Sequence, residues 1–186
     1  MASGKSTVGA EFVRLGCSLL KADELGHKLL EKSGECYEAV VAAFGRAILD
    51  ADGKIERRRL AMVVFNETGA LEKLNAIIHP VVFAYEQRWL QSQVVPIAIV
   101  EAAILVETGN YKNFDRLIVT WCPEELMVER AMARSGWTEA EARRRIARQM
   151  PIEEKKRFAN FLIDTSGTME STMEQTRAVY IALRRL

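Results

Sequence analysis

The stretch Ala2-Ser3-Gly4-Lys5-Ser6-Thr7 ends the phosphate-binding motif GxxxxGK[ST], the P-loop, and leads straight into a helical pattern. In this motif, backbone N–H groups and the N-terminus of the following helix surround the phosphates of a nucleotide. Lys5 is expected to reach the β- and γ-phosphates, and the hydroxyl of Ser6 to bind Mg²⁺. The alternative is a chance occurrence of GKST in a polar segment. Because a helix and then a strand follow directly, the motif predicts a phosphate-binding loop at residues 2–7.

The chain as written begins inside this motif. The first Gly of GxxxxGK[ST] would lie two residues before Met1, and the strand that normally precedes the loop is absent. A parallel sheet usually has that strand at its centre, so we expect its loss to weaken both the core and the binding of phosphate. Two interpretations stay open: the start of the chain has been cut or misassigned, or the chain is the damaged descendant of an enzyme.

The composition is that of an ordinary globular protein. Of the 186 residues, 49% are hydrophobic and 27% are charged, which excludes an intrinsically disordered chain. The formal net charge of +1 argues against a nucleic-acid partner or an anionic membrane held by bulk electrostatic attraction. Apolar runs such as residues 94–100 are far shorter than the roughly 20 residues that span a bilayer. Cys17, Cys36 and Cys122 form no CxxC pair, so we expect buried, reduced thiols in a cytoplasmic protein.

Strand and helix patterns alternate along the chain. The predicted strands are residues 17–20, 94–100, 117–122 and 161–163. Each is a short apolar run with little polar alternation, which is typical of a sheet covered on both faces. Residues 34–89 form a long, mostly helical block. The pattern predicts an α/β fold, a doubly wound parallel sheet with a helical insertion on one side.

Three local signals mark element boundaries. Residues 50–53 contain the Asp and Gly that a tight turn requires. Thr138 and Glu141 have the spacing of a capping box and predict the start of a helix. The pair His79-Pro80 is expected to end a helix, because a proline disfavours helical geometry in the residue before it.

Eight stretches follow one another along the chain: ASGKSTV (2–8), KADELGHKLL (21–30), FGRAILDADGKIERRRLAMVVF (44–65), LNAIIHP (74–80), AAILVETGNY (102–111), CPEELMVERAMAR (122–134), EARRRIARQM (141–150) and FLIDTSG (161–167). In this order they resemble dephospho-CoA kinases, and the resemblance extends over the whole chain. The resemblance implies ATP-dependent phosphorylation of the ribose 3′-hydroxyl of dephospho-CoA, the last step of coenzyme A synthesis. ATP is then the nucleotide expected at Ala2, Ser3, Gly4, Lys5, Ser6 and Thr7.

The same resemblance implies a P-loop NTPase-type fold with three regions in one kinase domain. The core is expected at about residues 1–30, 93–128 and 159–186. A helical substrate-binding insertion is expected at about 31–92, and a small lid at about 129–158. The family usually begins about ten residues earlier, with a strand and a Gly-Gly.

Two carboxylates follow predicted strands. Asp23 would either accept the proton of an attacking hydroxyl or cap the helix that begins there. Its position matches the second Asp of the family's DAD motif, the proposed base, whereas Lys21 replaces the first Asp. Glu101, where the family often has Asp, would hold the Mg²⁺ shell or the substrate. Glu107 is either a further site residue or a solvated loop carboxylate.

The remaining candidates come from later in the chain or from the insertion. Arg130 aligns with the family's lid-associated Arg and would bring positive charge over the γ-phosphate. Ser166 and Gly167 follow the last strand, where related kinases hold the adenine of ATP through backbone groups; the family usually has Asn at Thr165. His79 and Arg57 are candidate substrate contacts, with a structural histidine and a solvated arginine as the alternatives.

The sequence therefore predicts a cytoplasmic kinase that uses ATP and Mg²⁺ and acts on dephospho-CoA as a monomer or small homo-oligomer. The predicted catalytic residues are Lys5, Asp23 and Arg130. One alternative is a kinase of the same fold for another small metabolite or a nucleoside monophosphate. A second is an inactive nucleotide-binding remnant, because the P-loop is incomplete.

Overall fold

A computed structural model describes the backbone of residues 1–186 and every side chain except that of Phe65. In chain order the main elements are α1 (Lys5–Arg14), β1 (Ser18–Lys21), α2 (Ala22–Leu29), α3 (Tyr37–Phe44), α4 (Arg57–Asn66), α5 (Ala70–Gln91), β2 (Ala98–Glu101), β3 (Ile118–Trp121), α6 (Glu124–Ser135), α7 (Glu139–Ile146), α8 (Ile152–Lys156), β4 (Phe161–Asp164) and α9 (Met169–Leu183). Short 3₁₀ helices occupy Arg46–Ile48 and Asn110–Asn113. β3 and β4 are parallel and are joined through α6, α7 and α8, so the predicted α/β class is confirmed.

The four strands form two pairs, β1 with β2 and β3 with β4. The β3–β4 pair is parallel, with Ile118 opposite Phe161 and Trp121 opposite Asp164. In the described part of the chain, no further strand joins the two pairs. One apolar cluster nevertheless contacts both pairs, because Val8 and Phe12 of α1 pack with residues of β2, β3 and β4. Helix α1 therefore packs on the same apolar cluster as β2, β3 and β4.

The chain divides into two compact units, residues 1–20 with 94–186, and residues 21–93. The second unit is helical, and its long helix α5 packs against α2, α3 and α4. The predicted turn at residues 50–53 lies in this unit and is confirmed: the Asp50 carboxylate accepts the N–H groups of Asp52 and Lys54 at 3.0 and 2.8 Å. None of the helices described is long and apolar enough to cross a membrane.

Two boundary predictions are wrong, and proline is involved in both. His79-Pro80 does not end a helix but lies inside α5, which continues to Gln91. The packing of α5 on its three neighbours outweighs the hydrogen bond that Pro80 cannot make. The strand predicted at residues 94–100 begins only at Ala98, because Pro96 has no N–H for a ladder and Val94 is 99% exposed.

Other local predictions are confirmed. The hydroxyl of Thr138 accepts the N–H of Glu141 at 3.3 Å, so Thr138 caps α7 at the predicted position. Cys17, Cys36 and Cys122 are free thiols and are buried. Burial raises the pKa of the Cys17 and Cys36 thiols, which keeps both protonated.

An ion cluster around the buried Glu11 links α1 to α9. The Glu11 side chain is buried and accepts two hydrogen bonds from Arg14, at 2.6 and 2.7 Å, and one from Arg177 of α9, at 3.0 Å. The hydrogen bonds from Arg14, and then those from Arg177, lower the pKa of Glu11 to about 2 although burial alone would raise it. The cluster therefore needs an ionised Glu11.

We expect Glu11→Gln to remove part of the pH dependence of stability. Because the pKa of Glu11 is lower in the folded than in the unfolded state, its contribution is complete above about pH 4.5 and is lost as the pH falls toward 2. The difference in melting temperature between parent and variant should be largest near neutral pH and shrink across that range. Glu174→Gln, an exposed change on α9, is the control. A difference that stays constant from pH 7 to about 2 would contradict this account of the cluster.

Candidate active site

The predicted phosphate-binding loop, residues 2–7, leads into α1 through Gly4, which has a φ of +80°. The Gly4 carbonyl accepts the N–H groups of Thr7 and Val8, both at 3.1 Å, and so closes the first helical turn. Helix geometry leaves the N–H groups at the start of α1 without acceptors in the helix, and no acidic residue lies in the first turn. The N-terminus of α1 is therefore suited to bind an anion.

Two threonines, Thr120 and Thr165, contact the loop on its buried side. Ser3 is buried, and its hydroxyl lies 3.0 Å from that of Thr120 on β3. Gly4 lies against Thr165, so that a Cβ on Gly4 would be only 2.8 Å from the Thr165 methyl carbon. The positive φ and this close approach both require glycine at position 4. The strand pair β3–β4 thus fixes the backbone of the loop.

Ser6 and Glu101 form a direct contact between the loop and the end of β2. The Ser6 hydroxyl donates to Glu101 Oε1 at 2.8 Å. The other carboxylate oxygen, Oε2, is buried and has no hydrogen-bond partner among the described residues. A Cβ on Gly9 would lie 3.2 Å from this Oε2, so glycine in α1 makes room for the carboxylate. An unpartnered carboxylate oxygen in this position suits a cation.

The donor set of Ser6 and Glu101 fits Mg²⁺. Both supply hard oxygen donors, which Mg²⁺ prefers, and a hydroxyl that donates its proton keeps its lone pairs for a metal ion. The described residues contain no group of three or more His, Cys, Asp or Glu placed to hold a metal ion. That is compatible with Mg²⁺, which usually takes one or two protein ligands and completes its shell with water and substrate phosphates.

Arg130 of α6 is half-buried and engages the residue that follows β4. Its guanidinium donates to the Thr165 carbonyl at 2.6 Å, to the Thr165 hydroxyl at 3.1 Å and to the Cys122 sulfur at 3.5 Å. Since Thr165 also contacts Gly4, the charge of Arg130 is held beside the phosphate-binding loop. Its predicted place over the γ-phosphate remains a prediction.

Ser166 and Gly167 are exposed in a turn between β4 and α9. The Ser166 N–H donates to the Asp164 carboxylate at 2.8 Å. The Gln175 side chain of α9 bonds both the N–H and the carbonyl of Asp164, each at 2.9 Å. These hydrogen bonds hold the turn in a defined conformation. Its exposed residues, Ser166 and Gly167, directly follow Thr165, which contacts Gly4.

The other predicted site residues lie in the second unit. Asp23 is exposed in the first turn of α2, whose N-cap is Lys21, so the alternative that Asp23 caps the helix is wrong. Its charge still lies at the favourable end of the helix dipole. His79 is half-buried and stacks on Phe83, with ring centroids 5.5 Å apart, and burial lowers its pKa. Arg57, the first residue of α4, is exposed.

Sequence reasoning missed two contacts near the loop. Thr165 appeared only as a replacement for Asn, and its central place depends on side-chain contacts that no local pattern reveals. Glu107 is exposed in the turn after β2, and its carboxylate accepts the Met150 N–H at 3.0 Å and pairs with Lys155 at 2.7 Å. Lys155 also donates to the Ala103 carbonyl at 3.0 Å, which ties α8 to the loop after β2.

Comparisons with known proteins agree on one family. A family model described as dephospho-CoA kinase (CoaE) matches residues 1–171. A dephospho-CoA kinase of Aquifex aeolicus is 43% identical over 183 residues, which are 98% of this chain and 93% of that protein. One from Geobacillus kaustophilus is 36% identical over 96% of this chain and 90% of its own length.

Solved structures have the same architecture. The crystal structure of TT1252 from Thermus thermophilus superposes with a TM-score of 0.87 at 30% identity, covering 98% of this chain and 92% of that one. A dephospho-CoA kinase from Campylobacter jejuni gives a TM-score of 0.71 at 28% identity, over 100% of this chain and 94% of that one. The predicted P-loop NTPase-type fold is confirmed.

Proposed function

Since the chain belongs to the dephospho-CoA kinase family, we propose which of its own residues carry out the family's reaction. The enzyme is an ATP-dependent phosphotransferase that phosphorylates the ribose 3′-hydroxyl of dephospho-CoA and yields CoA and ADP. Nothing in the described residues favours another acceptor. The observation that carries the proposal is the Ser6–Glu101 pair beside the phosphate-binding loop, with its unpartnered carboxylate oxygen.

The loop and Arg130 bind and orient the phosphates of ATP. The N–H groups at the start of α1 meet the phosphate oxygens, and Lys5, the first residue of α1, supplies a positive charge at the same place. Arg130, already fixed by Thr165, adds charge as the γ-phosphoryl group leaves. A ligand with several phosphate charges matches this set of donors.

Ser6 and Glu101 hold Mg²⁺ in this proposal. The metal ion would neutralise charge on the phosphates during transfer. Ser6 offers its hydroxyl oxygen and Glu101 its carboxylate. The burial of Glu101 Oε2 supports this role, because an unpartnered buried carboxylate oxygen is costly unless a ligand completes its surroundings.

The acceptor side uses residues of the second unit. Asp23 accepts the proton of the 3′-hydroxyl as that oxygen attacks the γ-phosphorus. His79 and Arg57 contact dephospho-CoA, and residues 31–92 form the substrate-binding insertion. His79 is suited to a neutral hydrogen bond, because its lowered pKa favours the uncharged imidazole near pH 7. Arg57 is exposed and carries charge for a substrate phosphate.

The remaining assignments concern the nucleotide base, the lid, the cellular location and the oligomeric state. The backbone of Ser166 and Gly167 holds adenine, supported by the defined turn between β4 and α9. Residues 129–158 form the lid. Three buried, unpaired thiols support a cytoplasmic location, where thiols stay reduced. The proposed assembly is a monomer or a small homo-oligomer.

We expect Glu101→Gln to raise the Mg²⁺ concentration for half-maximal rate by about tenfold, since the charge that attracts the cation is removed while the shape is kept. ADP release is measured against Mg²⁺ at saturating ATP and dephospho-CoA, after the parent has been shown to prefer dephospho-CoA to nucleoside monophosphates. Glu170→Gln, an exposed change on α9, is the control. An unchanged Mg²⁺ dependence in Glu101→Gln would remove Glu101 from the metal site.

A further inference from the structure

Thr165 contacts three parts of the site through one side chain. Its hydroxyl accepts the Arg130 guanidinium at 3.1 Å and lies 3.3 Å from the Ser3 carbonyl and 3.2 Å from the Trp121 carbonyl. Its methyl carbon faces Gly4 of the phosphate-binding loop. Thr165 is only 4% exposed, so these contacts form away from water.

The hydroxyl has one proton for two carbonyls. The Trp121 carbonyl already accepts the N–H of Thr165 at 2.9 Å, which extends the β3–β4 pairing by one residue. For the Ser3 carbonyl, the structure gives no other hydrogen bond among the residues it describes. The Ser3 carbonyl is therefore where the proton is most needed, because a buried acceptor without a partner destabilises the fold.

The same hydroxyl oxygen accepts a hydrogen bond from the Arg130 guanidinium. A hydroxyl that donates while it accepts from a cation is polarised, and each of its two hydrogen bonds strengthens the other. The contacts run from the guanidinium of Arg130, through the Thr165 hydroxyl, to the backbone of the phosphate-binding loop. The Thr165 backbone is itself fixed on β3, so this link rests on a rigid part of the fold.

We propose that Thr165 is a positioning residue for nucleotide binding: its hydroxyl sets the Ser3–Gly4 peptide and the Arg130 guanidinium relative to each other. This inference rests on the proposed function of the loop and of Arg130. Without the hydroxyl, Arg130 loses a side-chain acceptor and the Ser3 carbonyl loses its donor. The groups that face the phosphates of ATP are then less well ordered before the nucleotide binds, and part of the binding energy is spent in ordering them.

Thr165→Val tests the proposal, because valine keeps the shape against Gly4 and removes only the hydroxyl. We expect the KM for ATP and the Kd for ADP to rise about tenfold, the size expected for a hydrogen bond to a charged group. The KM for dephospho-CoA should stay within about twofold, since none of the groups that Thr165 contacts is assigned to dephospho-CoA. Thr165→Ser, which keeps the hydroxyl, should restore both nucleotide constants to within about twofold of the parent.

The matched control is Thr176→Val, since Thr176 is also buried but donates its hydroxyl to the Thr172 carbonyl within α9. We expect Thr176→Val to lower the melting temperature, because a buried hydroxyl is lost, and to leave the KM for ATP and the Kd for ADP unchanged. Melting curves are recorded first. If Thr165→Val is unfolded, Thr165→Ala is compared with Thr165→Ser in the same titrations.

Three results would overturn the proposal: unchanged nucleotide constants in the hydroxyl-free variant, equal rises in both KM values, or no recovery with serine. The calorimetric Kd for ADP is measured without turnover. A failure of the proposed function would appear instead as Mg²⁺-dependent activity that survives in Glu101→Gln and in variants of Lys5. The Kd for ADP in the Thr165 variants can still be interpreted in that case, because it does not depend on turnover.

Discussion

Lys5→Ala is expected to lower the rate of phosphoryl transfer by about 10³-fold or more and to leave the fold intact. Lys5 is the first residue of α1, at the helix N-terminus that is proposed to bind the phosphates. Its charge offsets that of the β- and γ-phosphates, and no neighbouring cation in the first turn of α1 replaces it. The side chain is half-buried and belongs to none of the apolar clusters of the core. The loss should therefore fall on the reaction and not on folding.

The measurement is a coupled assay of ADP release at saturating dephospho-CoA, with circular dichroism on the same samples. Lys5→Met, which keeps the apolar stem, should be as inactive as Lys5→Ala and separates charge from packing. Lys112→Ala, an exposed lysine in the 3₁₀ helix Asn110–Asn113, is the control for a surface charge. Near-parental turnover in both Lys5 variants with intact dichroism would rule out the assignment of this loop.

Local chemistry explains why most of the fold was predictable from the sequence. The start of α1, the turn at residues 50–53 and the cap of α7 each depend on residues within a few positions of one another. The errors arise where tertiary contacts override a local preference. Pro80 was expected to end a helix, but the packing of α5 on both sides of the proline holds the helix together. Helix α8 escaped prediction because five residues are too few to show a helical period.

Sequence reasoning could name candidate site residues but not the contacts between them. The motif at residues 2–7 indicates phosphate binding, and Glu101 stands at the end of a predicted strand. That the Ser6 hydroxyl donates to this carboxylate, and that Gly9 makes space for it, depends on how α1 lies against β2. Thr165 is a stronger case: residues 3 and 165 are joined by a hydrogen bond across 162 positions of sequence. No periodicity within one segment carries such information.

Asp23 is the proposed acceptor of the substrate proton. It follows β1 by two residues and is exposed in the first turn of α2, so its carboxylate is open to a substrate. Its neighbour Glu24 offers a second carboxylate in the same turn but pairs with Lys21 at 3.0 Å. The two acidic residues share the favourable end of the same helix dipole and differ in what they are proposed to do. They form a natural pair for comparison.

Asp23→Asn is expected to lower kcat by about 10²-fold or more, the usual contribution of a general base, with little change in the KM for ATP. Asparagine keeps the size of the side chain and removes only its ability to take up a proton. Removal of one negative charge from the first turn of α2 also costs about 0.3–1 kcal/mol of stability. Glu24→Gln loses the same charge from the same turn and also the pair with Lys21, so it should lower the melting temperature at least as much as Asp23→Asn while keeping the parental kcat. If Asp23→Asn also keeps the parental kcat, Asp23 serves only the helix and the base must be sought elsewhere.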